Sequence, residues 1–360
     1  MFLVTEVGSV TESVVVMTPV AVPIRKLAID RGVNTINAKI EGVMTDDDGY
    51  IKSVMLAGGK IDADFVIDAT GFNRLIIGKH YKGNWKSYRA HLPLKKAIPF
   101  HLKNDPNKIP PHTECFAMEN GWMWKIPLQD RHGCGYVFDS DRIDAEAAAI
   151  EVEKTVGEKI EVKKVLDFDP GAFTNPWIKN CLALGLASAF IEPLESTAIW
   201  ITIESIKSFL ASIKGLTHRD DLHIQRHNNR VNYLADDVLN FVHLHYLGRR
   251  RDTEFWRDFR VNTIPPSLVK ACDDVKRDVT LIRPLISDFD AGFTFWSWQQ
   301  VGAGIGFFNR DEGEKSLNAL LKGRRIYLYA NRYRELTKNL NHRLEHLVDH
   351  AEFVKYLKGV

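Results

Sequence analysis

Leu182-Ala183-Leu184-Gly185-Leu186-Ala187-Ser188-Ala189-Phe190-Ile191-Glu192-Pro193-Leu194-Glu195-Ser196-Thr197-Ala198-Ile199-Trp200 is the stretch on which the reading of this chain turns. It opens as an apolar run of small residues and passes into a helical pattern. Glu192 and Glu195 stand three residues apart, and Pro193 between them keeps the segment from being ordinary helix. Glu195 lies directly before a Ser-Thr pair suited to opening a helix. A carboxylate beside a helix N-terminus, in a mostly apolar setting, suits a base next to an anion-binding corner. The plainer reading, a capped helix with two surface glutamates, is the one this stretch alone favours, because most capped helices do no chemistry.

Outward from it, Thr202 to Ile213 continues as helix, with Ile203, Ile206, Phe209, Leu210 and Ile213 on one face. On the other side, Phe65-Val66-Ile67-Asp68-Ala69-Thr70-Gly71 reads as a short buried strand ending in a small-residue turn. Such a turn lets backbone approach a phosphate or an adenosine closely. Gly121 to Leu128 alternates as a strand, with Arg131 to Phe138 as its hairpin partner. Trp122 and Trp124 then share a face, and core packing is the simpler account of the pair. Nearer the start, Ile24 to Arg31 reads as a helix with Leu27 and Ala28 inward, and Asn34 to Val43 as one strand. Asp46 to Gly49 is a turn, and Tyr50 to Leu56 the returning strand. Residues 75–115 read as extended and irregular, Asp144 to Val156 as helix and Lys163 to Phe168 as strand. From residue 220 the pattern is chiefly helical: Asp221 to Tyr246, Pro265-Pro266 to about Leu281, and Leu317 to Lys358. Phe293 to Phe308 is rich in aromatics and glycine, fitting either core or the wall of a pocket for a flat organic molecule. His243 and His245 point to different faces of a helix, so no metal site is expected.

A chain of 360 residues, 45% hydrophobic and 26% charged, has the make-up of a soluble globular protein with a large core. Its net charge of +2 gives no reason to expect a nucleic-acid partner. Cys115, Cys134, Cys181 and Cys272 are far apart and read as reduced thiols of a cytoplasmic protein. No apolar run reaches about 18 residues, so no membrane span is expected. Val14-Val15-Val16-Met17 follows Glu6 and Glu12 rather than a basic region, which argues against a signal peptide.

Taken together, several segments resemble the flavin-dependent tryptophan halogenase family. Trp122-Met123-Trp124-Lys125-Ile126-Pro127 is similar to its Trp-x-Trp-x-Ile-Pro motif, and Gly185 to Thr197 to its most characteristic run. Asp64 to Phe72 looks like the strand and turn of its flavin domain. Arg31-Gly32-Val33-Asn34, Gly135-Tyr136-Val137 and Arg251-Asp252-Thr253-Glu254-Phe255-Trp256 fit in order and separation. The resemblance implies an α/β (α+β) fold: the remainder of a flavin-monooxygenase-like FAD domain over residues 1–215 and a mainly helical substrate-side domain over 216–360. It implies FADH2-dependent halogenation of an electron-rich, indole-like aromatic, using chloride or bromide and oxygen by way of a hypohalous species. A separate flavin reductase would deliver the reduced FAD.

Residue by residue, the resemblance makes Glu195 the glutamate beside the substrate, supported by Ser196. It gives the halide to the amides of Thr197 and Ala198, the flavin to Leu186 and Ile199, and the adenine end to the backbone of Ile40. Trp122 and Trp124 would wall off the flavin, and Glu192 would be structural. There are departures. The family opens with a Gly-x-Gly-x-x-Gly strand–turn–helix followed by a catalytic lysine, and this sequence contains neither. About the first third of a full-length enzyme is therefore expected to be missing, with weak or no FAD binding as the result. Ala198 stands where the family often has glycine. The 293–308 segment is shorter than the lid of tryptophan-specific members, which speaks against tryptophan itself. A homodimer is left open. The competing readings are a flavin-dependent aromatic hydroxylase and a non-catalytic truncated remnant.

Overall fold

A computed structural model of the protein describes residues 2–5, 18–105, 107–213, 221–275, 292–321, 334–335, 337–339, 342 and 348–358. The chain divides into two units, neither continuous in sequence: residues 1–88 with 169–236, and residues 89–168 with 237–360. This is a division by compactness. The expected division at 215/216 concerns roles, and it stays a proposal.

In the first unit β1 (Phe2–Thr5) and β2 (Asn34–Asn37) pair in parallel, with α1 (Thr18–Asp30) in the connection. Pro19 falls in the first turn of α1, where a missing N–H is not felt. The helix therefore starts well before the expected Ile24 and carries Pro23 inside. Leu27, expected to face inward, is 49% exposed because no described element covers that side. The expected single strand over 34–43 breaks at Ala38-Lys39, so β2 and β3 (Ile40–Thr45) join different sheets. β3, β4 (Ile51–Leu56) and β5 (Gly59–Asp62) form an antiparallel meander. β6 (Val66–Asp68) comes next, then a π-helical turn over Leu75–His80 where irregular chain was expected, and then β7 (Trp85–Ser87).

The second unit opens with an antiparallel sheet of β8 (Lys96–Lys103), β9 (Glu114–Ala117), β10 (Gly121–Pro127), β11 (Arg131–Phe138) and β12 (Leu166–Asp167), in the order β12-β8-β11-β10-β9. The expected hairpin is present, with Trp122 opposite Val137 and Trp124 opposite Gly135. The strand expected over 163–168 shrinks to two residues, paired only with Lys96 and Ala97. Helix α2 (Ala145–Val156) is capped by Asp144, whose carboxylate accepts the Ala147 N–H at 2.8 Å. It lays Ala148 and Val152 against Ile98, Phe100 and Tyr136.

The chain returns to the first unit with β13 (Gly171–Phe173), β14 (Trp177–Ile178), β15 (Cys181–Ala183), β16 (Ala189–Phe190) and α3 (Thr197–Ser212). β6 and β15 run parallel, Ile67 beside Leu182, and β14 returns antiparallel. Phe209 of α3 packs on Trp177 and Leu182. The rest of the expected apolar face of α3 is exposed: Ile203 by 46%, Ile206 by 39%, Leu210 by 57% and Ile213 by 45%. The helix buries Thr197, Ile201, Ser205, Phe209 and Ser212 instead.

The helical reading of the C-terminal part holds where residues are described: α4 (Asp221–Tyr246), α5 (Glu254–Asn262), α6 (Pro266–Val275), α7 (Phe295–Gly304), α8 (Arg310–Leu321) and α9 (His350–Lys358). The expected helix end near Leu281 and most of 322–347 lie outside the described residues. In the first unit α4 reads backbone with carboxamides: Asn228 accepts the Trp177 N–H at 2.9 Å, and Asn232 donates to the Thr174 carbonyl at 2.7 Å. In the second unit Phe241, Leu244, Leu268 and Trp298 form a core with Phe293, Phe307 and Phe308 packed against it. Most of the aromatic segment is thus core, and Trp296 stands out, 67% exposed. No helix is long and apolar enough to cross a membrane, and no group of metal-ligating side chains occurs, among the described residues. None of the four cysteines is in a disulfide.

Candidate functional site

The first unit gathers three turns around the ends of its parallel strands. β6 ends in Asp68, which is buried, and its carboxylate organises the chain from Thr70 to Ile77. It accepts the Thr70 N–H at 3.1 Å and hydroxyl at 2.6 Å, and the N–H groups of Ile76 and Ile77 at 2.9 and 2.8 Å. Four donors on one carboxylate pin the turn Gly71–Asn73 and satisfy the start of the π-helical turn. Gly71 takes a φ of +63°, with open space where a side chain would stand. Arg74 then lays its guanidinium on Trp85, 3.4 Å from the ring centre.

β15 ends in a second turn, Gly185–Ala187, which lies against the first. The Leu184 N–H donates to the Asp68 carbonyl at 2.9 Å, and Phe72 meets Phe190 edge-on at 5.1 Å. Gly185 also has a φ of +63°. The Ser188 hydroxyl is buried here without a hydrogen-bond partner. Ligands of open α/β sheets sit outside the carboxyl ends of parallel strands, where such turns leave room for them.

The third turn is Leu194–Ser196, leading into α3. Glu195 (φ 59°, ψ 16°) and Ser196 (φ 53°, ψ 30°) are both left-handed, two L-residues in succession in a region that suits glycine. Such strain concentrates at functional sites. Ser196 was expected to cap the helix with its side chain, but in left-handed geometry that side chain does not reach the first amides. The first N–H of α3, that of Thr197, donates instead to the Leu194 carbonyl, at the positive end of the helix. Thr197 is buried, its hydroxyl donating to the Glu192 carbonyl at 3.3 Å, and Glu192 is itself buried. Glu195 and Ser196 are exposed, Ala198 and Leu186 are half-buried, and Ile199 is 48% exposed.

Leu186, Glu195, Ser196, Thr197, Ala198 and Ile199 therefore occupy three segments, the Gly185–Ala187 turn and the Leu194–Ser196 turn, both in contact with the third, the start of α3. Ile40 opens β3 in the same unit, paired with Leu56. Trp122 and Trp124 belong to the second unit, with ring centres 5.8 Å apart on one face of the hairpin. Gly135 makes room for them: a Cβ there would stand 2.1 Å from the Trp124 ring. Within the first unit, the open turn at Gly71 and the half-buried Leu186 suit the approach of a flat ring such as that of FAD. Sequence reasoning missed Asp68, Arg74 and Ser188. The signal for the first was an acid at the end of an apolar strand, two residues before a Thr-Gly turn.

Comparison with solved structures gives the class. BrvH, a flavin-dependent halogenase from Brevundimonas sp. BAL3, superposes with a TM-score of 0.82 at 27% identity, covering 94% of this chain and 68% of that one. Xcc4156, a flavin-dependent halogenase from Xanthomonas campestris, gives 0.79 at 30% identity, covering 93% and 66%. The fold is that of the flavin-dependent halogenases. Among curated proteins, the tryptophan 6-halogenase SttH of Streptomyces toxytricini is 34% identical over 250 residues, 67% of this chain and 47% of that protein. The family model for tryptophan halogenase matches residues 18–318, and the chain belongs to the tryptophan halogenase family. It spans about half the length of the curated relatives it matches.

Proposed function

We propose that this chain carries the halide- and flavin-facing corner of an FADH2-dependent halogenase acting on an electron-rich, indole-like aromatic. In that reading residues 1–215 serve the flavin and 216–360 the substrate. The observation that carries it is the corner from Leu194 to Ala198: a carboxylate on left-handed backbone, directly before the start of α3, which the Ser196 side chain does not cap. Reduced FAD, delivered by a separate reductase, supplies with oxygen the oxidising equivalent that turns chloride or bromide into a hypohalous species. The halide is assigned to the amides of Thr197 and Ala198 at the positive end of α3, and the Thr197 N–H would have to leave the Leu194 carbonyl to serve it. Alanine in place of glycine keeps the second N–H, and Ala198 already has helical backbone. Leu186 and Ile199 offer aliphatic contact to the flavin ring, and the Ile40 backbone serves the adenine end.

Glu195 takes the proton that leaves the ring carbon as the C–H bond gives way to carbon–halogen, and Ser196 holds the carboxylate in place. Trp122 and Trp124 screen the flavin from organic substrate, a task that suits two large rings seated rigidly on one strand. The dinucleotide turn and the lysine that the resemblance implies would be contributed by sequence outside these residues. The test is a protein extended by the amino-terminal portion its relatives carry, given reduced FAD, oxygen and bromide. Brominated indole is the expected product. A hydroxylated product without halogen would make the enzyme an aromatic hydroxylase instead.

A further inference from the structure

Gly135-Tyr136-Val137 and Arg251-Asp252-Thr253-Glu254-Phe255-Trp256 have no part in the corner around Glu195, yet in the second unit both stretches converge on one turn. β9 passes into β10 through Met118-Glu119-Asn120, closed by the Met118 N–H donating to the Gly121 carbonyl at 2.9 Å. The backbone of such a hairpin tip ordinarily faces water. Here three successive carbonyls are taken by side chains from residues 250–256. Arg250 donates to the Ala117 carbonyl, the Trp256 indole N–H to that of Met118 at 2.7 Å, and the Thr253 hydroxyl to that of Glu119 at 2.9 Å. The remaining groups of the turn are held by α2 and β11. Glu151 accepts the Glu119 N–H at 2.6 Å, and the Asn120 carbonyl accepts the Asp139 N–H at 2.9 Å. The Tyr136 hydroxyl accepts the Asn120 N–H at 3.3 Å and donates to Glu151 at 2.9 Å.

The gripping segment is itself fixed. Trp256 is buried, Tyr246 at the end of α4 stacks on it at 5.8 Å, and Arg250 lies 5.4 Å over its ring while pairing with Asp252 at 2.7 Å. Thr253 caps α5, accepting the Trp256 N–H at 3.5 Å with the hydroxyl that donates to Glu119. A two-residue hairpin closes on its own hydrogen bond and needs no such hold to form. What the hold fixes is the strand that follows. Trp122 stands one residue past the closing pair, opposite Ala117, and Trp124 two further on, opposite Cys115. The carbonyl that Arg250 takes is thus that of Trp122's own register partner. Gly135 makes room for the Trp124 ring, and its neighbour Tyr136 holds the turn beside Trp122.

We infer that Arg250, Thr253 and Trp256 are positioning residues, which grip the β9–β10 turn and through it set the orientation of the Trp122–Trp124 pair. A screen depends on rigid placement, because a ring that swings opens a gap that a small aromatic can enter. The bearing on the reaction rests on the screening role proposed above for the two tryptophans, and the grip itself does not.

Two tilted indoles 5.8 Å apart give an exciton couplet in circular dichroism, identified as the signal that Trp122→Phe removes. It is read on the 360-residue chain without flavin. Thr253→Val should weaken the couplet severalfold, while Thr253→Ser, which keeps the hydroxyl, should preserve it. Loss of the cap alone would lower the unfolding midpoint of Thr253→Val and leave the couplet whole, and that result overturns the inference. Arg250→Met frees the Ala117 carbonyl and spares the cap, so it decides the matter even if Thr253→Val does not fold: an undiminished couplet there overturns the inference too. In the extended protein, Thr253→Val should yield hydroxylated indole beside the brominated product, with KM for bromide unchanged. Oxygen and reduced FAD then place one oxygen atom on the ring and release the other as water. A product as purely brominated as the parent's would overturn the bearing on the reaction. If the parent brominates nothing, the proposed function fails, and the couplet still decides the grip.

Discussion

Of the two glutamates in Glu192-Pro193-Leu194-Glu195, backbone geometry separates what composition could not. Glu192 is buried, and Glu195 is exposed on a left-handed turn. Glu195→Gln keeps the shape and removes the base, so in a flavin-competent extended protein the halogenation rate should fall about 10²-fold or more. Flavin affinity measured by titration should hardly move, and an equal loss of both would make the residue structural. Ser196→Gly should release left-handed strain worth about 1 kcal/mol, seen as a higher urea midpoint. If the turn matters to the chemistry, the same variant should be slower. The sequence shows the acids and the hydroxyl, because chemistry is written in residue types. It does not show the strain, because glutamate and serine give no local sign of left-handed backbone. Nor does it show that Ser196 leaves the helix uncapped, since a serine before a helix ordinarily caps it.

Among the elements, the β10–β11 hairpin was legible because alternation and a tight turn are local signals. What it needs from Gly135 was not, because that need is for empty space beside Trp124, across the ladder. Gly135→Ala should push Trp124 off its seat at a cost of about 1–3 kcal/mol, read as a lower unfolding midpoint with altered tryptophan fluorescence. β6 was legible as an apolar run, but its length came out short because Asp68 stops it. Asp68→Asn leaves one acceptor oxygen and adds two donors where four donors already converge. The expected loss is about 2–3 kcal/mol, with hydrogen exchange accelerated first over 70–77. The apolar face of α3 was legible and its direction was not: of the five residues read onto it, only Phe209 is buried. Periodicity finds a stripe but does not say which way it points when both faces carry buriable residues.

For the whole molecule, the family and the broad fold were within reach of the sequence, since motifs in fixed order survive divergence. The partition into units was not, because it depends on contacts between residues far apart in the chain. One property does belong to the molecule as a whole. His227 in one unit and His243 in the other are buried, and burial pushes the first down to about 4 and the second to about 3. Unfolded, both return to about 6.5, so as pH falls the unfolded chain takes up protons that the folded chain refuses. Stability should therefore be full above about pH 6.5 and decline from there down toward pH 3–4, each histidine costing about 2 kcal/mol at about pH 5. Thermal midpoints at several pH values check this. His227→Gln should flatten the profile even if it lowers the midpoint throughout. The interleaving of the units also bears on how the protein is made. β6 and β7 must wait, while 89–168 leave the ribosome, for the partners they find in 169–236. Half-finished sheet is thus held open during synthesis, which favours slow folding and a need for chaperones.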